Sequence, residues 1–282
     1  MHELTAQLPG TTQKGPPLRC IVTGGSSGIG GPICRELRKR GANVFITGRQ
    51  LANLQRSADG VVSEGGYCTF GVGDVTVEAD VQRLFAEAQT FFAEGTTVNS
   101  FGADVWVQGE AGVDALVTLA GIGRFGPIEK LSEPDFSSSV DVNVKGVWVW
   151  AREVLPAMKQ QGAGQVVFIS WVTGLRKFGK CSVYGASKWA VQGIAGSLRE
   201  EARGTGVKIA TLCPGSVATP WCMCACVCVS ERERERETER EKERVCESVN
   251  VNVYVCVCVR VCVRVYSCVC IIYMYRHTAL AL

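Results

Sequence analysis

Short apolar runs alternate with amphipathic stretches over the first 220 residues of this chain. The apolar runs are rich in Val, Ile, Leu and Phe and end at glycine, polar or charged residues, which is typical of strands buried in a parallel sheet. Six such runs are predicted to be strands: 18–23, 43–47, 67–72, 113–118, 165–170 and 207–212.

The stretches between these runs have apolar residues at helical spacing. In 78–93, Val81, Leu84, Phe85, Ala88 and Phe92 fall on one helix face and are predicted core residues. Helices are predicted by the same spacing up to about residue 40, over 78–93, over 136–158 and over 182–203. The alternation indicates an α/β fold, with a doubly wound parallel sheet between two layers of helices.

One segment interrupts this pattern. Residues 95–112 have no clear period and precede the fourth predicted strand. We predict that they form an insertion that is mostly surface loop.

The first strand is followed by a glycine-rich turn and a helix. Residues 23–30 read Thr-Gly-Gly-Ser-Ser-Gly-Ile-Gly. Glycines let the backbone approach a phosphate group, and the free N–H groups at a helix N-terminus bind the anion. The strand, turn and helix together predict a Rossmann-like dinucleotide site.

A tyrosine and a lysine lie four residues apart on the last predicted helix. Tyr184 and Lys188 therefore share one helix face. An ammonium beside a phenol stabilises phenolate, so the tyrosine can exchange a proton closer to neutral pH than its free pKa of about 10 allows. An isolated pair of this kind is usually a solvated helix face, so its meaning depends on the glycine loop upstream.

The two motifs together resemble those of the short-chain dehydrogenase/reductases over about residues 18–221. That family's Thr-Gly-x-x-x-Gly-x-Gly loop is matched by 23–30, and its Tyr-x-x-x-Lys pair by Tyr184 and Lys188. The resemblance implies hydride transfer between a nicotinamide dinucleotide and a small-molecule carbonyl or alcohol, with Tyr184, Lys188 and Asn143 as catalytic residues. It implies the following cofactor-binding residues: Thr23, Gly24, Ser26, Ser27, Gly28, Ile29, Gly30, Arg49, Asp74, Val75, Ala120, Gly121, Tyr184, Lys188, Pro214, Gly215, Val217 and Thr219.

The residue after the second strand favours one form of the cofactor. Arg49 stands near the position where a member that prefers NAD usually has an acidic residue. A carboxylate there binds the ribose 2′-hydroxyl, whereas a guanidinium suits a 2′-phosphate. We therefore predict NADP rather than NAD, with a solvated arginine at a loop start as the alternative.

The chain departs from the family at two places near the expected site. Residues 118–121 read Thr-Leu-Ala-Gly where the family has Asn-Asn-Ala-Gly, so the amides that tie neighbouring strands are missing. Trp171 occupies the position of the family's catalytic serine, and an indole has one N–H donor and no acceptor. Ser170 is adjacent and could replace that serine only if the strand end is twisted, because successive strand residues point to opposite faces.

Composition sets further limits on function. The formal net charge of +3 gives no sign of a nucleic-acid surface. Residues 1–17 lack the apolar core and cleavage site of a secretory signal, so we expect a disordered leader and a cytoplasmic protein. The single cysteines before residue 221 are typical of a reducing compartment. By resemblance we also expect a homo-oligomer. The family's last strand, which follows the loop at 214–219, has no recognisable counterpart in this sequence.

Residues 222–282 do not resemble a domain. They alternate Cys with Val and Glu with Arg, and they contain ten of the 15 cysteines. Because repeated TGT-GTG encodes Cys-Val and repeated GAG-AGA encodes Glu-Arg, our hypothesis is translated microsatellite DNA from an unspliced intron. There are three alternatives. A charged single helix is disfavoured because like charges recur at i, i+4, and a cysteine metal cluster because the cysteines lack the spacing of metal ligands. A membrane segment is disfavoured by Arg260 and Arg264.

Three functions follow as hypotheses. The first is an NADP-dependent reductase or dehydrogenase, and the second is a dinucleotide-binding pseudoenzyme in which Trp171 blocks the substrate. The third, a cysteine-rich metal or redox protein, depends only on 222–282, and no metal ligand set is predicted elsewhere.

Overall fold

The computed structural model describes residues 17–62, 67–100, 103–107 and 109–215. Side chains are described outside the two strands Thr96–Ser100 and Ala103–Val107. The predicted leader at 1–17, apart from Pro17, and the predicted tail at 222–282 lie outside the described residues.

A parallel sheet of six strands forms the middle layer of the structure. The strand order is β3-β2-β1-β6-β7-β8, so the chain winds outward from β1 in one direction and then returns to continue on the other side. The strands of this sheet are β1 Arg19–Thr23, β2 Asn43–Gly48, β3 Cys68–Val72, β6 Ala115–Thr118, β7 Gly164–Ile169 and β8 Val207–Leu212.

Helices cover both faces of this sheet. The helices α1 and α2 pack on one face and α3, α5 and α6 on the other, each over its own apolar cluster. Their bounds are α1 Gly30–Lys39, α2 Leu51–Val62, α3 Glu78–Ala93, α4 Glu133–Val140, α5 Gly146–Gln161 and α6 Ser182–Glu201. The predicted fold class, a Rossmann-like three-layer α/β/α structure with a doubly wound parallel sheet, is confirmed, and the predicted loss of a last strand concerns residues outside the described ones.

The helix periodicity also identified the core correctly. On α3, Val81, Leu84 and Ala88 are fully buried, Phe92 is buried and Phe85 is half-buried. Full burial of a side chain the size of Val81 or Leu84 contributes about 1.5–3 kcal/mol.

The structure corrects the prediction for residues 95–112. They contain an antiparallel pair of strands, β4 Thr96–Ser100 and β5 Ala103–Val107, in which Thr96 pairs with Val107 and Ser100 with Ala103. The segment forms its own two-stranded sheet rather than mostly loop, because pairing satisfies backbone N–H and C=O groups that an irregular segment would leave to water.

The helices differ from the prediction at two places. Helix α2 was not predicted, and the single helix predicted over 136–158 is divided into α4 and α5. Between α4 and α5, Asp141–Lys145 forms a π-helical turn, which inserts an extra residue into the α-helical path. Asn143 lies in the middle of this turn.

The fourth parallel strand begins two residues later than predicted. The backbone N–H of Val113 donates to Gln161 Oε1, and Gln161 Nε2 donates to the Val113 carbonyl, each at 3.0 Å. The Gln161 side chain on α5 thus makes the hydrogen bonds that a neighbouring strand would otherwise make with the Val113 backbone.

Among the helices that the structure describes, none is long and apolar enough to cross a membrane.

Candidate active site

The candidate site lies where the parallel strands end at their carboxyl edge. The chain order reverses between β1 and β6, and the residues after these strands face the crevice in which open α/β sheets bind ligands. The glycine loop follows β1, Arg49 follows β2, Asp74 follows β3 and Gly121 follows β6. The topology therefore brings the predicted cofactor residues to one edge of the sheet.

The loop after β1 can be built only with glycine at two of its positions. Gly24 has a φ of +67°, and a Cβ atom there would lie 2.7 Å from the backbone nitrogen of Ala120. At Gly30, a Cβ would lie 2.5 Å from the Gly24 carbonyl oxygen. Both neighbours are backbone, so they cannot rotate away. The loop is therefore a close-packed turn that leads into the N-terminus of α1, the arrangement that binds phosphate groups.

Thr23 joins the ends of β1 and β6 beneath this loop. Its Oγ1 accepts hydrogen bonds from the backbone N–H groups of Leu119 at 3.2 Å and Ala120 at 3.3 Å. The Leu119 N–H also donates to the Thr23 carbonyl at 3.1 Å. The amides that the family has at 118–119 are missing here, and the hydroxyl and carbonyl of Thr23 join the two strand ends.

Arg49 and Asp74 lie at neighbouring strand ends. The Arg49 guanidinium is 3.8 Å from Asp74 Oδ2, and 64% of the Arg49 side chain is exposed. Asp74 Oδ1 is fixed by the backbone N–H and the hydroxyl of Thr76, at 2.9 and 2.8 Å. Val75 is buried against Gly146, the first residue of α5. The arginine is thus loosely paired and solvent-accessible, while the residues beside it are fixed.

Asn143 connects three parts of the site. Its Oδ1 accepts from the Ile122 N–H at 2.8 Å, and its Nδ2 donates to the Ile122 carbonyl at 2.8 Å and to Ser187 Oγ at 3.0 Å. The side chain is fully buried. Because the π-helical turn shifts Asn143 out of the regular helix, its amide reaches both the loop after β6 and helix α6.

Gly121 marks the point where these groups meet. A Cβ atom at Gly121 would lie 3.2 Å from Asn143 Oδ1 and 3.8 Å from Lys188 Nζ. The predicted residues Ala120 and Gly121 therefore lie directly beside the predicted catalytic residues.

Tyr184 and Lys188 are both buried on α6. Tyr184 is 4% exposed and Lys188 is 6% exposed, and the Lys188 Nζ lies 5.6 Å from the centre of the tyrosine ring. Lys188 Nζ donates to the Ile169 carbonyl at the end of β7, at 3.0 Å. Burial lowers the pKa of the Lys188 ammonium to about 8, since desolvation disfavours its charge.

Aromatic side chains enclose the Tyr184 ring. Phe125 lies at a centroid distance of 5.0 Å, and Trp171 meets the ring edge-on at 5.5 Å. Phe178 extends this cluster, 6.2 Å from Trp171. The indole therefore occupies the surroundings of the tyrosine, where the family resemblance places a serine hydroxyl.

The Trp171 N–H has a partner within the protein. Nε1 donates to the Gly215 carbonyl at 2.9 Å, and the Val172 N–H donates to the Pro214 carbonyl at 3.1 Å. The indole N–H is consequently not available to a substrate in this arrangement. It ties the loop after β8 to the end of β7. The last two predicted residues of that loop, Val217 and Thr219, lie outside the described residues.

Ser170 points into the interior. It is 2% exposed, and its hydroxyl donates to the Lys188 carbonyl at 2.9 Å. The Ser170 hydroxyl, the candidate replacement for the missing serine, is therefore hydrogen-bonded to helix α6.

Sequence reasoning missed several residues of this site. Ser187, Phe125 and Cys213 contact predicted residues, and Gln192 donates to Cys213, but none of these four was predicted. Ser187 could have been found, because it lies within the Tyr-x-x-x-Lys motif. The others come together only through the tertiary fold. No cluster of three or more His, Cys, Asp or Glu side chains suited to a metal ion occurs in the part of the chain that the structure describes.

The chain is similar to known oxidoreductases in sequence and in structure. A family model described as short chain dehydrogenase matches residues 19–225. Oxidoreductase UcpA of Salmonella typhimurium is 33% identical over 202 residues, which cover 71% of this chain and 69% of the relative. An uncharacterized oxidoreductase of Listeria innocua is 31% identical over 201 residues, which cover 71% of this chain and 74% of the relative.

A solved structure extends this similarity to the fold. A variant of actinorhodin polyketide ketoreductase with NADPH superposes with a TM-score of 0.68 at 26% identity, and the match covers 84% of each chain. The family match spans more than half of this chain, and the sheet order and the glycine loop agree with it. The chain therefore belongs to the short-chain dehydrogenase/reductase family of oxidoreductases.

Proposed function

We propose that this chain is an NADP(H)-dependent reductase or dehydrogenase that acts on a small-molecule carbonyl/alcohol pair. The observation that carries the proposal is that Asn143 and Lys188 meet beside Gly121, with the Tyr184 ring 5.6 Å from the Lys188 ammonium, at the sheet edge where the glycine loop lies. A proton donor, a cation and a buried amide then share one crevice with a phosphate-binding turn.

The residues present fit a dinucleotide. At Gly24 and Gly30 a side chain would collide with backbone, so the loop keeps its surface open to a pyrophosphate. Arg49 is the exposed cation after β2, where a ribose 2′-phosphate would lie. A bound nicotinamide cofactor would supply the hydride, and the protein would supply binding, orientation and proton transfer.

Tyr184 is assigned the proton transfer. Its hydroxyl would donate a proton to the carbonyl oxygen during reduction and take it back during alcohol oxidation. Lys188, buried next to the ring, favours the ionised phenol that this step leaves. Asn143 holds the loop after β6 against α6, and by family resemblance it also positions a water in the proton relay.

The close packing of the glycine loop gives the first prediction. We expect Gly30→Ala to weaken NADPH binding at least about a hundredfold, because the added Cβ would lie 2.5 Å from the Gly24 carbonyl and must move the loop. NADPH fluorescence titration measures the loss. The control is Gly193→Ala on α6, where a Cβ meets nothing within 4 Å, so NADPH affinity should not change. Equal affinities for Gly30→Ala and the unaltered chain would contradict the assigned loop.

Arg49 gives the second prediction, which concerns the choice between NADP and NAD. We expect Arg49→Ala to weaken NADPH binding about ten- to a hundredfold and to leave NADH binding unchanged, since a hydrogen bond to a charged group is worth about 1.5–3 kcal/mol. Arg203→Ala is the matched control, because Arg203 is also exposed and paired with a carboxylate, that of Glu200. A similar loss for both cofactors would show that Arg49 does not read the 2′-phosphate.

Trp171 favours a second candidate function. An indole that packs on Tyr184 and donates its N–H to Gly215 fills space near the proton donor and offers no second donor to a carbonyl. The chain would then bind the dinucleotide without turnover, as a pseudoenzyme. Substitution of Trp171 distinguishes a catalyst limited at this position from a chain that has lost turnover for other reasons.

The other sequence-based expectations stay predictions. These are the domain bounds of 18–221 with an insertion at 95–112, a cytoplasmic location, a small-molecule substrate, a homo-oligomer, and no nucleic-acid or membrane partner. The net charge of +3 supports the absence of a nucleic-acid surface.

A direct assay tests the proposed function. The full-length chain is mixed with NADPH and a panel of small aldehydes, ketones and 1,2-diketones, and absorbance at the nicotinamide band is followed. We expect saturable NADPH oxidation that requires a carbonyl. NADPH oxidation at the same rate without any carbonyl would contradict the proposal.

A further inference from the structure

The end of β7 holds Lys188 at two points. The hydroxyl of Ser170 donates to the Lys188 backbone carbonyl at 2.9 Å, and the Lys188 ammonium donates to the Ile169 carbonyl at 3.0 Å. The first bond fixes the Lys188 backbone against the end of β7, and the second fixes the ammonium at the tip of its side chain. A lysine stem has four flexible carbons, so a tie at each end removes much of its freedom.

Ser170 is also linked to the neighbouring strand. Its backbone N–H donates to the Leu212 carbonyl at 2.8 Å, and its hydroxyl lies within hydrogen-bonding reach of the Cys213 thiol. Gln192, one turn beyond Lys188 on α6, donates to the same sulfur at 2.9 Å. Burial raises the pKa of the Cys213 thiol, which keeps it protonated. The strands β7 and β8 and helix α6 are thus joined around one serine.

The turn after β7 closes over this hydrogen bond. A Cβ atom at Gly174 would lie 2.5 Å from Ser170 Oγ and 2.8 Å from the Lys188 carbonyl oxygen. Only glycine fits at this place while the bond stays intact. The bond is therefore shielded by backbone, in a place where water cannot easily replace the serine.

We propose that Ser170 is a positioning residue, which fixes Lys188 on α6 and thereby sets where its ammonium meets Tyr184. It does not replace the hydroxyl that is missing at residue 171. The role of Lys188 in catalysis belongs to the proposed function, but its placement by Ser170 is a property of the folded chain and can be tested without turnover.

Competitive labelling of the lysines tests this placement. The full-length chain is pulsed with trace acetic anhydride between pH 7 and pH 10.5, and labelling of each lysine peptide is read by mass spectrometry. In the unaltered chain we expect slow labelling of Lys188, with a midpoint near 8. In Ser170→Ala the midpoint should move toward that of free lysine, and the limiting rate should rise about tenfold, because the released amine reaches water.

Two further variants isolate the hydroxyl. Ser170→Thr keeps it and should restore most of the protection of Lys188. Gly174→Ala keeps the hydroxyl but must separate Ser170 Oγ from the Lys188 carbonyl, so it should label like Ser170→Ala. If circular dichroism shows that Ser170→Ala does not fold, Gly174→Ala provides the test of this hydrogen bond instead.

Ser139→Ala is the matched control. Ser139 is fully buried and donates to a helix carbonyl, that of Asp135, at 2.8 Å, so its loss removes the same kind of bond elsewhere. We expect it to leave the labelling of Lys188 unchanged. An unchanged midpoint in Ser170→Ala, or an equal shift in Ser139→Ala, would overturn the proposal.

The outcome is separate from that of the proposed function. If the chain oxidises no NADPH, the proposed function fails while the labelling still decides the role of Ser170. If the chain is active, Ser170→Ala should lower kcat about tenfold with little change in KM for the carbonyl, and Ser170→Thr should recover it.

Discussion

Tyr184→Phe is expected to lower kcat for NADPH-dependent carbonyl reduction about a thousandfold, with less than about threefold change in NADPH affinity. General acid catalysis by a positioned side chain contributes about 10²–10⁴-fold, and phenylalanine keeps the ring while it removes the proton. The packing of the ring on Phe125 at 5.0 Å and on Trp171 at 5.5 Å should persist. Steady-state kinetics and NADPH titration on the same preparations separate the two effects.

Tyr67→Phe is the control for this substitution. Tyr67 is half-buried and stacks on Phe91 with a centroid distance of 4.6 Å, far along the sequence from the site. We expect its loss of a hydroxyl to leave kcat unchanged. If Tyr184→Phe retained full activity, the proton would have to come from another group and the assigned mechanism would be wrong.

Trp171→Ser is expected to raise kcat for simple ketones about 10²–10³-fold. The substitution places a small hydroxyl donor beside Tyr184, and one donor aimed at a developing oxyanion is worth roughly that factor. It also removes the indole from the space next to the tyrosine ring. Measurement of kcat and KM for the ketone panel with saturating NADPH gives the result.

The same substitution should have a cost in cofactor binding. Trp171 Nε1 donates to the Gly215 carbonyl, so its loss frees the loop after β8, which by family resemblance covers the nicotinamide. Trp171→Phe separates the two effects, because it keeps an aromatic ring against Tyr184 and removes only the N–H donor. We expect Trp171→Phe to weaken NADPH binding about tenfold with no gain in kcat.

Trp189→Ser is the control for the loss of an indole. Trp189 is 48% exposed on α6, and its substitution should change neither kcat nor NADPH affinity. A large gain in Trp171→Ser would support a catalyst limited at one position. No gain, together with intact NADPH binding, would show that turnover is lost for reasons other than Trp171.

Much of the fold could be predicted because its elements are locally coded. All six strands of the parallel sheet were found from apolar runs, and β8 has the predicted bounds Val207–Leu212. The glycine loop was also predicted, since Gly24 has a φ of +67° and a Cβ at Gly30 would meet the Gly24 carbonyl within the same loop. In both cases the residue type itself determines the local structure.

The elements that were missed are not marked by an apolar pattern of their own. The π-helical turn at Asp141–Lys145 lies within a helical apolar pattern, and Asn143 bonds Ile122 and Ser187, which no spacing rule connects to it. The strand pair at 96–107 forms its own sheet, so it lacks the apolar run of a core strand.

The residues of the site could be proposed from the sequence, but their hydrogen-bond partners could not. The sequence identified Ser170 and Trp171 as residues of interest, yet it could not show that Ser170 reaches the Lys188 carbonyl or that Trp171 reaches Gly215. Those partners come from α6 and from the loop after β8. Their positions follow from how these elements pack around β7.

Deuterium transfer from NADPH that carries deuterium at both C4 positions of the nicotinamide tests the proposed carbonyl reduction most directly. The full-length chain and Tyr184→Phe are incubated with the labelled cofactor and the carbonyl panel, and the alcohols are analysed by mass spectrometry. We expect one deuterium on the carbinol carbon with the unaltered chain, and about a thousandfold less alcohol with Tyr184→Phe. Tight NADPH binding without label in any alcohol would contradict it.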